Sequence, residues 1–469
     1  MTEATHDLVV IGGGLAGLTA AARAGELGLR AVLLEQGPEE RYPCNSRLSG
    51  GIFHIAYHEM KSPPQTLRAA IERATAGKAD PALAEALAGD AGRLVDWLRD
   101  HGARFMRGGS ADWERWLLAP PRPLQAGLVW EGRGPDVLLR SLAAAINASG
   151  GAIERGVRAT ALEPQDGALV VVAERGAQAV RLCAGSVVIA DGGFQADPDL
   201  FRAHIGPRPE LVKQRGAATS RGDGVRMAMA LGAAVTHMEC FYGHLLAQEA
   251  MTNDMLWPYP QLDSLAVAAV IVDRGGRRIM DEGVGGVELA NRIARLPDPS
   301  WATVVFDAAI WEGPCRSARI PVNPHAEKGG ATIFREPTLA ALAGALEIDA
   351  AQLERTIRDY NEALRNARTA QLDPPRRIDA YEAWPIGKPP FMAIRLCAGI
   401  THTMGGIAID AHGRVLRRDG SVIERLYAAG SATGGIEGGG DTGGYVGGLA
   451  KAGVLGLRSA EHVAANLAR

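Results

Sequence analysis

"GGGLAG" places Gly12-x-Gly14-x-x-Gly17 early in the chain. The chemistry this spacing can do is to hold a dinucleotide pyrophosphate. Gly12 allows a tight turn, Gly14 lets the backbone approach the phosphates, and Gly17 lets a helix pack closely on a strand. Leu15 and Ala16 then open a helix whose free N–H groups and partial positive charge face the phosphates. Glu35 lies 23 positions after Gly12 and is followed by Gln36. An acid at that distance can accept a hydrogen bond from a ribose hydroxyl. A second segment, "GIEGGGDTGGYVGG" (435–448), holds eight glycines in fourteen positions. Glycine costs the most conformational entropy to order, so such a run needs a reason. Inside it Asp441 offers a carboxylate and Tyr445 a phenol able to act as acid, base or hydrogen-bond donor.

The elements that must position these groups can be read around them. "DLVVI" is a short apolar run suited to a strand buried on both faces. Residues 15–28 carry helical spacing and "RAVLLE" is the next strand, which completes a βαβ unit. "GSVVIADGG" (185–193) and "RLYAAGSATGG" (425–435) give two more buried-strand signals, and 449–468 reads as a long terminal helix. The Pro- and Gly-rich stretches 117–135 and 206–224 read as loops. The texture changes between about 236 and 372. There "SLAVAAVIVD", the turn "RGGRR" and one helical pattern near 340–368 suggest an inserted α+β domain. The expected organisation is an α/β fold. A Rossmann-like nucleotide-binding domain spans 1–236 and 372–469, with a capping, substrate-facing domain over 237–371.

Composition excludes other classes. The chain has 469 residues, 47% hydrophobic and 22% charged, with a formal net charge of −3. That balance does not point to nucleic acid or to an anionic membrane surface. No apolar run reaches the roughly 18–20 residues that a membrane span needs. The N-terminus lacks the basic region and cleavage site of a secretory signal. The five cysteines are scattered with no C-x-x-C, so no zinc site or disulfide framework is expected, and a reducing cytoplasm is the default location.

The later motifs decide between nicotinamide and flavin. "GSVVIADGGF", "SRGDGVRMAMALGA", "LYAAGSATGG" and, most specifically, "THTMGGIAID" (401–410) resemble the flavin-contacting motifs of the fumarate reductase/succinate dehydrogenase flavoprotein family. "SGG" at 49–51 and "GGRRIMDEG" at 275–283 also fit, in the same order and over nearly the whole chain. The resemblance implies FAD, contacted by Asn45, Ser46, Ser49, Gly50 and Gly51, by Ala190, Asp191, Gly192 and Gly193, and by Asp223, Gly430 and Ser431. It also implies that Gly447, Gly448 and Leu449 begin a helix aimed at the flavin N1/O2 edge, where its dipole favours the charge that develops on reduction. The family's attachment histidine is absent beside "SRLSGG", so FAD is expected to be non-covalent.

In this family the histidine matching His402 meets a substrate carboxylate or carbonyl, and His244 resembles a second substrate histidine. Two departures follow. The family's arginine proton donor falls at or near Gly286, and its arginine clamp falls at Asp441, where a carboxylate repels a substrate carboxylate. Fumarate and succinate are therefore not the expected substrates, and the chain is closer to tricarballylate-dehydrogenase-like or ketosteroid-dehydrogenase-like branches. The cofactor still supplies hydride chemistry. Tyr445, Tyr242, Tyr259, Arg47, Arg292 and Arg395 are the candidate replacements, each with an ordinary structural role as its alternative. The expected function is an FAD-dependent dehydrogenase or reductase of CH–CH/C=C units in a small molecule, with an unidentified electron donor or acceptor. A flavoprotein oxidase, a redox-neutral flavin isomerase and a non-catalytic electron carrier are the alternatives.

Overall fold

The computed structural model describes residues 5–439 and 443–467. Asp441 lies outside the described residues. At the centre of the larger sheet runs the strand His6–Ile11, parallel to Ala31–Glu35 on one side and to Gln178–Ile189 on the other. Val9 pairs with Val32 and with Val187. Leu8, Val9 and Val10 are fully buried, as expected of a parallel strand covered on both faces. Ala152–Arg155 extends this sheet beyond Ala31–Glu35, and Val422–Ala428 with Arg414–Leu416 extends it beyond Gln178–Ile189. The hairpin Val157–Gln165 and Ala168–Arg175 continues antiparallel from Gln178–Ile189. The parallel βαβ start is the expected Rossmann-like arrangement.

Two helices close one face of this sheet. Leu15–Glu26 follows the glycine turn, and Gly448–Leu467 packs against it. Their backbones approach closely because Gly456 has no side chain: a Cβ there would stand 2.5 Å from the carbonyl oxygen of Ala16. The terminal helix starts at Gly448 and sends its N-terminus toward the same end of the sheet as the glycine turn.

A second, mixed sheet is built on the thirteen-residue strand Phe391–Thr403. Phe241–Ala247, Thr303–Asp307 and Phe334–Glu336 pair with it antiparallel, Lys213–Gln214 pairs parallel, and Val270–Val272 joins through Thr303–Asp307. The sheet therefore takes strands from both sides of the stretch 237–371 as well as from within it. The register sets Tyr242 opposite His402 and His244 opposite Gly399, with a bulge between Tyr242 and Gly243. Bulges recur beside sites because they re-aim side chains.

The helical pattern near 340–368 is two helices, Leu339–Leu346 and Ala350–Arg365. Glu347 adopts a left-handed conformation (φ 60°) that ends the first, and Asp349 accepts the Gln352 N–H at 2.7 Å to cap the second. Periodicity alone reads through that break.

Candidate functional site

The site lies where the C-terminal ends of the parallel strands meet the second sheet. One continuous cavity is lined by the glycine turn, Glu35, residues 43–46 and 48–52, the Ala190–Gly192 loop, Asp223, Gly430, Ser431, Gly448 and Leu449. Its other wall carries Tyr242, His244, His402 and Tyr445. The expected nucleotide-binding and substrate-facing residues thus share one space.

At the turn, Gly12 has φ 104°, and a Cβ on it would stand 2.5 Å from Asp191 Cα. A Cβ on Gly17 would be 1.9 Å from the Gly12 carbonyl oxygen, so this glycine serves helix–strand contact, as its place in the motif implies. Gly14 meets only Ser46 Oγ, at 3.5 Å, which leaves its cavity side open. The helix that follows has no side-chain cap, although the Leu15 N–H donates to Ser46 Oγ at 3.0 Å. Glu35 accepts from the Gly13 and Gly37 N–H groups at 2.8 and 2.7 Å. Each carboxylate oxygen keeps a second lone pair, so an acceptor for a ribose hydroxyl remains. Burial raises the pKa of Glu35, and the Gly37 and Gly13 N–H donors oppose that shift.

Other expected contacts divide into wall and scaffold. Asn45 ties two segments together, donating to the Thr401 carbonyl at 3.0 Å and accepting from the Ala217 N–H at 2.6 Å. Gln36 donates to the Thr219 carbonyl at 3.1 Å. Ser49 donates to the Ser46 carbonyl at 2.7 Å, which turns the chain into Gly50 and Gly51. Asp223 holds Arg158 through two hydrogen bonds of 2.7 and 2.8 Å. Gly193 and Gly447 are not on the cavity wall: a Cβ would strike Thr403 Oγ1 at 2.1 Å in the first case and the His54 carbonyl oxygen at 2.2 Å in the second. Close packing within the chain requires both glycines, and Gly447 (φ 143°) also needs its backbone freedom. Arg47 does not face the cavity either. It is buried, 3.1 Å from Asp136, and donates to the Tyr42 carbonyl. Arg292 pairs with Glu288 at 2.9 Å, and Arg395 lies over Phe334.

The wall with the expected catalytic residues draws Tyr242, His244 and His402 from two neighbouring strands. Tyr242 and Tyr445 stack with ring centroids 3.9 Å apart. The hydroxyl of Tyr242 is 2.9 Å from His244 Nε2, and His244 Nδ1 is 2.6 Å from Asp263 Oδ2. The other Asp263 oxygen accepts the Leu245 N–H at 2.9 Å, which fixes the carboxylate. A Cβ on Gly286 would stand 2.1 Å from the Asp263 carboxyl carbon, so the position expected to have lost an arginine is where this carboxylate sits. Burial lowers the pKa of His244. A neutral imidazole that donates from Nδ1 to Asp263 leaves Nε2 to accept from the phenol. Burial raises the pKa of Tyr242 and Tyr445, so both are protonated phenols. The Gly448 N–H, at the start of the terminal helix, donates to the Tyr445 hydroxyl oxygen at 3.3 Å.

His402 is buried, and its Nε2 has no hydrogen-bond partner among the described residues. Burial pushes its pKa down to about 4. Below it Glu437 and Lys451 form a buried ion pair of 2.6 Å, with Glu437 Oε2 4.0 Å from His402 Nε2. The other Glu437 oxygen accepts from the Val446 and Gly447 N–H groups and so staples the glycine-rich segment. His54 and Tyr57 stack at 5.0 Å and both meet Trp113 edge-on, adding an aromatic wall. Sequence reasoning missed Asp263, Arg215, Glu437, Lys451, Tyr57 and Trp113. The available signals were a lone lysine in the apolar run "LAKAGVLGL" and a lone glutamate among glycines.

A dinucleotide fits this chemistry. Asp191 Oδ1 is buried without a partner while Oδ2 accepts the Gly224 N–H, and burial pushes the Asp191 pKa up to about 7. An orphaned oxygen beside an open glycine turn and an uncapped helix calls for a hydroxyl- and phosphate-bearing group. Among the described residues no group of three or more His, Cys, Asp and Glu side chains could hold a metal ion.

Fold and site together define a flavin-dependent oxidoreductase. The chain belongs to the FAD binding domain family, whose model matches residues 7–445, and its cofactor is FAD. It is 27% identical over 455 residues to an NADH:fumarate oxidoreductase of Klebsiella pneumoniae, covering 93% of this chain and 45% of that protein. The chain therefore spans about half the length of that relative. It is 25% identical over 479 residues to a vinyl phenol reductase of Lactiplantibacillus plantarum, covering 93% and 92% of the two chains. In fold it is similar to the 3-ketosteroid delta1-dehydrogenase of Sterolibacterium denitrificans, with a TM-score of 0.73, 20% identity, and 99% and 100% of the chains covered. No helix among the described residues is long and apolar enough to cross a membrane.

Proposed function

We propose that the protein is a dehydrogenase or reductase that interconverts a CH–CH unit and a C=C bond next to a carbonyl or carboxylate in a small molecule. The hydrogen-bonded chain Asp263–His244–Tyr242, ending on the cavity, supports this reading more than any other observation. Bound FAD supplies hydride transfer at its N5 atom. Gly12, Gly14, Leu15 and Ala16 would hold the pyrophosphate, Glu35 a ribose, and Gly50, Gly51 and Gly448 would line the ring.

The protein's own part is the proton. In dehydrogenation, the Tyr242 oxygen takes the substrate proton while its own proton moves to His244 Nε2. Asp263 stabilises the imidazolium that results. In reduction the same path runs backwards. Tyr445, supported by the Gly448 N–H, donates its hydrogen bond to the carbonyl oxygen of the substrate and favours the negative charge that builds there. His402 Nε2 gives or accepts one further hydrogen bond.

Asp441 rejects the second carboxylate of fumarate or succinate in this proposal. The stretch 237–371 closes over the site as a cap, and limited proteolysis should cut near its edges more slowly with a ligand present. A cytoplasmic location and a separate electron donor or acceptor complete the reading. The test is a flavin-bleaching screen across mono-, di- and tricarboxylates and cyclic ketones, repeated with Tyr242→Phe. Bleaching by one class that Tyr242→Phe slows at least about a hundredfold supports the proposal. A flavin that no compound perturbs, or an unchanged Tyr242→Phe rate, refutes it.

A further inference from the structure

Arg215 is a buried cation on the cavity wall with no carboxylate partner among the described residues. It is 6% exposed. Its guanidinium donates from Nη1 to Thr401 Oγ1 at 2.7 Å and from Nη2 to the Pro258 carbonyl at 3.2 Å, while Nε has no partner. All of these acceptors are neutral. The carboxylate whose charge reaches it, Asp263, makes no hydrogen bond to it and is already held by His244 and the Leu245 N–H, so an anion placed directly against the guanidinium recovers much of the cost of burying it.

The chain makes specific room for this side chain. A Cβ on Gly399 would stand 2.4 Å from Arg215 Cδ, so the arginine lies across the strand Phe391–Thr403 at a point where only glycine lets it pass. Thr401 on that strand grips the guanidinium, and His402 is the next residue. Gly399 itself pairs with His244 in the sheet. Arg122 borders the same cavity, with its guanidinium over Tyr259, and donates to the Leu48 and Val129 carbonyls. Two arginines hydrogen-bonded only to neutral acceptors place positive charge on this side of the cavity, set against the Asp263 carboxylate behind His244.

We propose that Arg215 is the anion subsite of the substrate, so that the substrate class is a monocarboxylic acid. This deepens the functional reading above and rests on it. One carboxylate sits on Arg215, and the aromatic wall of His54, Tyr57 and Trp113 receives an apolar or planar substituent. Nothing in this assignment uses the two positions where the related reductases place their arginines.

The test uses the FAD-loaded protein and two probes of nearly equal shape, benzoate and benzamide, titrated against the flavin absorption spectrum. Wild-type protein should bind benzoate about tenfold or more tightly than benzamide. Arg215→Met should abolish that preference and leave benzamide affinity within about twofold, and Arg215→Lys should keep part of it. FAD content and melting temperature report whether each variant is folded. Should the methionine variant lose FAD, the wild-type ratio and the lysine variant decide the matter. Equal affinities in the wild type would overturn the proposal. So would equal weakening of both probes, or a lowered flavin reduction potential with the probe preference intact, which would make the arginine a partner of the flavin. The probes do not turn over, so failure of the hydride-transfer reading would leave their ratio unaffected.

Discussion

The carboxylate of Asp263 occupies the space that a side chain on Gly286 would fill: a Cβ there would lie 2.1 Å from the carboxyl carbon. The smallness of Gly286 and the acid at Asp263 form one arrangement, because any larger residue pushes the carboxylate off His244. Gly286→Ala should therefore slow turnover at least about tenfold and cost about 1–3 kcal/mol of stability. Steady-state kinetics and denaturant unfolding check the two effects. Wild-type kinetics in Gly286→Ala would break the link.

The pH profile follows from the same chain. Dehydrogenation needs neutral His244 as final proton acceptor, and burial lowers its pKa below the ordinary value of 6.5. The rate should hold as pH falls through 6.5 and drop only on the more acid side. Asp263 pulls the His244 pKa upward, so Asp263→Asn should move the acid limb to still lower pH. The same change should cut kcat by about two to four powers of ten. An acid limb that moves upward in the variant would contradict the relay.

Glu437 and Lys451 should set acid stability. Burial by itself raises the pKa of Glu437, but Lys451 and His402 outweigh it and hold the carboxyl at about 2 against an ordinary 4.5. A depressed folded-state value gives stability that is present above the unfolded value and is lost as pH falls from about 4.5 toward 2. Glu437→Gln removes that dependence and leaves Lys451 buried and unpaired, at a cost of about 3–5 kcal/mol at neutral pH. Thermal melts from pH 2 to 7 read both changes. A Gln variant with wild-type stability at pH 7 would show that the pair contributes nothing.

Asp441 carries a prediction from sequence alone. Fumarate and succinate should give negligible turnover, and Asp441→Asn should weaken kcat/KM for the true substrate by about 1–3 kcal/mol. Efficient fumarate reduction by the unmodified protein would end that proposal.

FAD should leave the protein on acid precipitation, with the yellow colour in the supernatant. Colour retained in the pellet would establish a covalent bond. Substrate-reduced flavin should need an added acceptor within a turnover, and rapid reoxidation by air would favour an oxidase.

The nucleotide half was legible because its chemistry is local. Gly12, Gly14, Gly17 and Glu35 lie within one βαβ unit, where spacing along the chain equals spacing in the fold. The half proposed to be catalytic was only partly legible. His402, His244 and Tyr445 could be picked out, yet Asp263 reaches His244 across 19 positions and Glu437 reaches Lys451 across a glycine loop into a helix. Strand register and turn geometry create those pairs, and neither leaves a spacing rule. Arg47, close in sequence to Gly50 and Gly51, takes the structural role that was the alternative to a place near the flavin: its side chain turns inward to Asp136.

A second cavity, bordered by Ser264, Ser317, Tyr381 and Trp384, shares Tyr57, His244 and Tyr445 with the first. Tyr57 is 52% exposed and stands between the two. The two cavities thus adjoin at Tyr57, His244 and Tyr445. Asp263 and Gly286 also line the second cavity, so the proposed relay is bordered by space on both sides, while Ser317 and Trp384 border the second cavity alone and can be exchanged to change its size without replacing a relay residue.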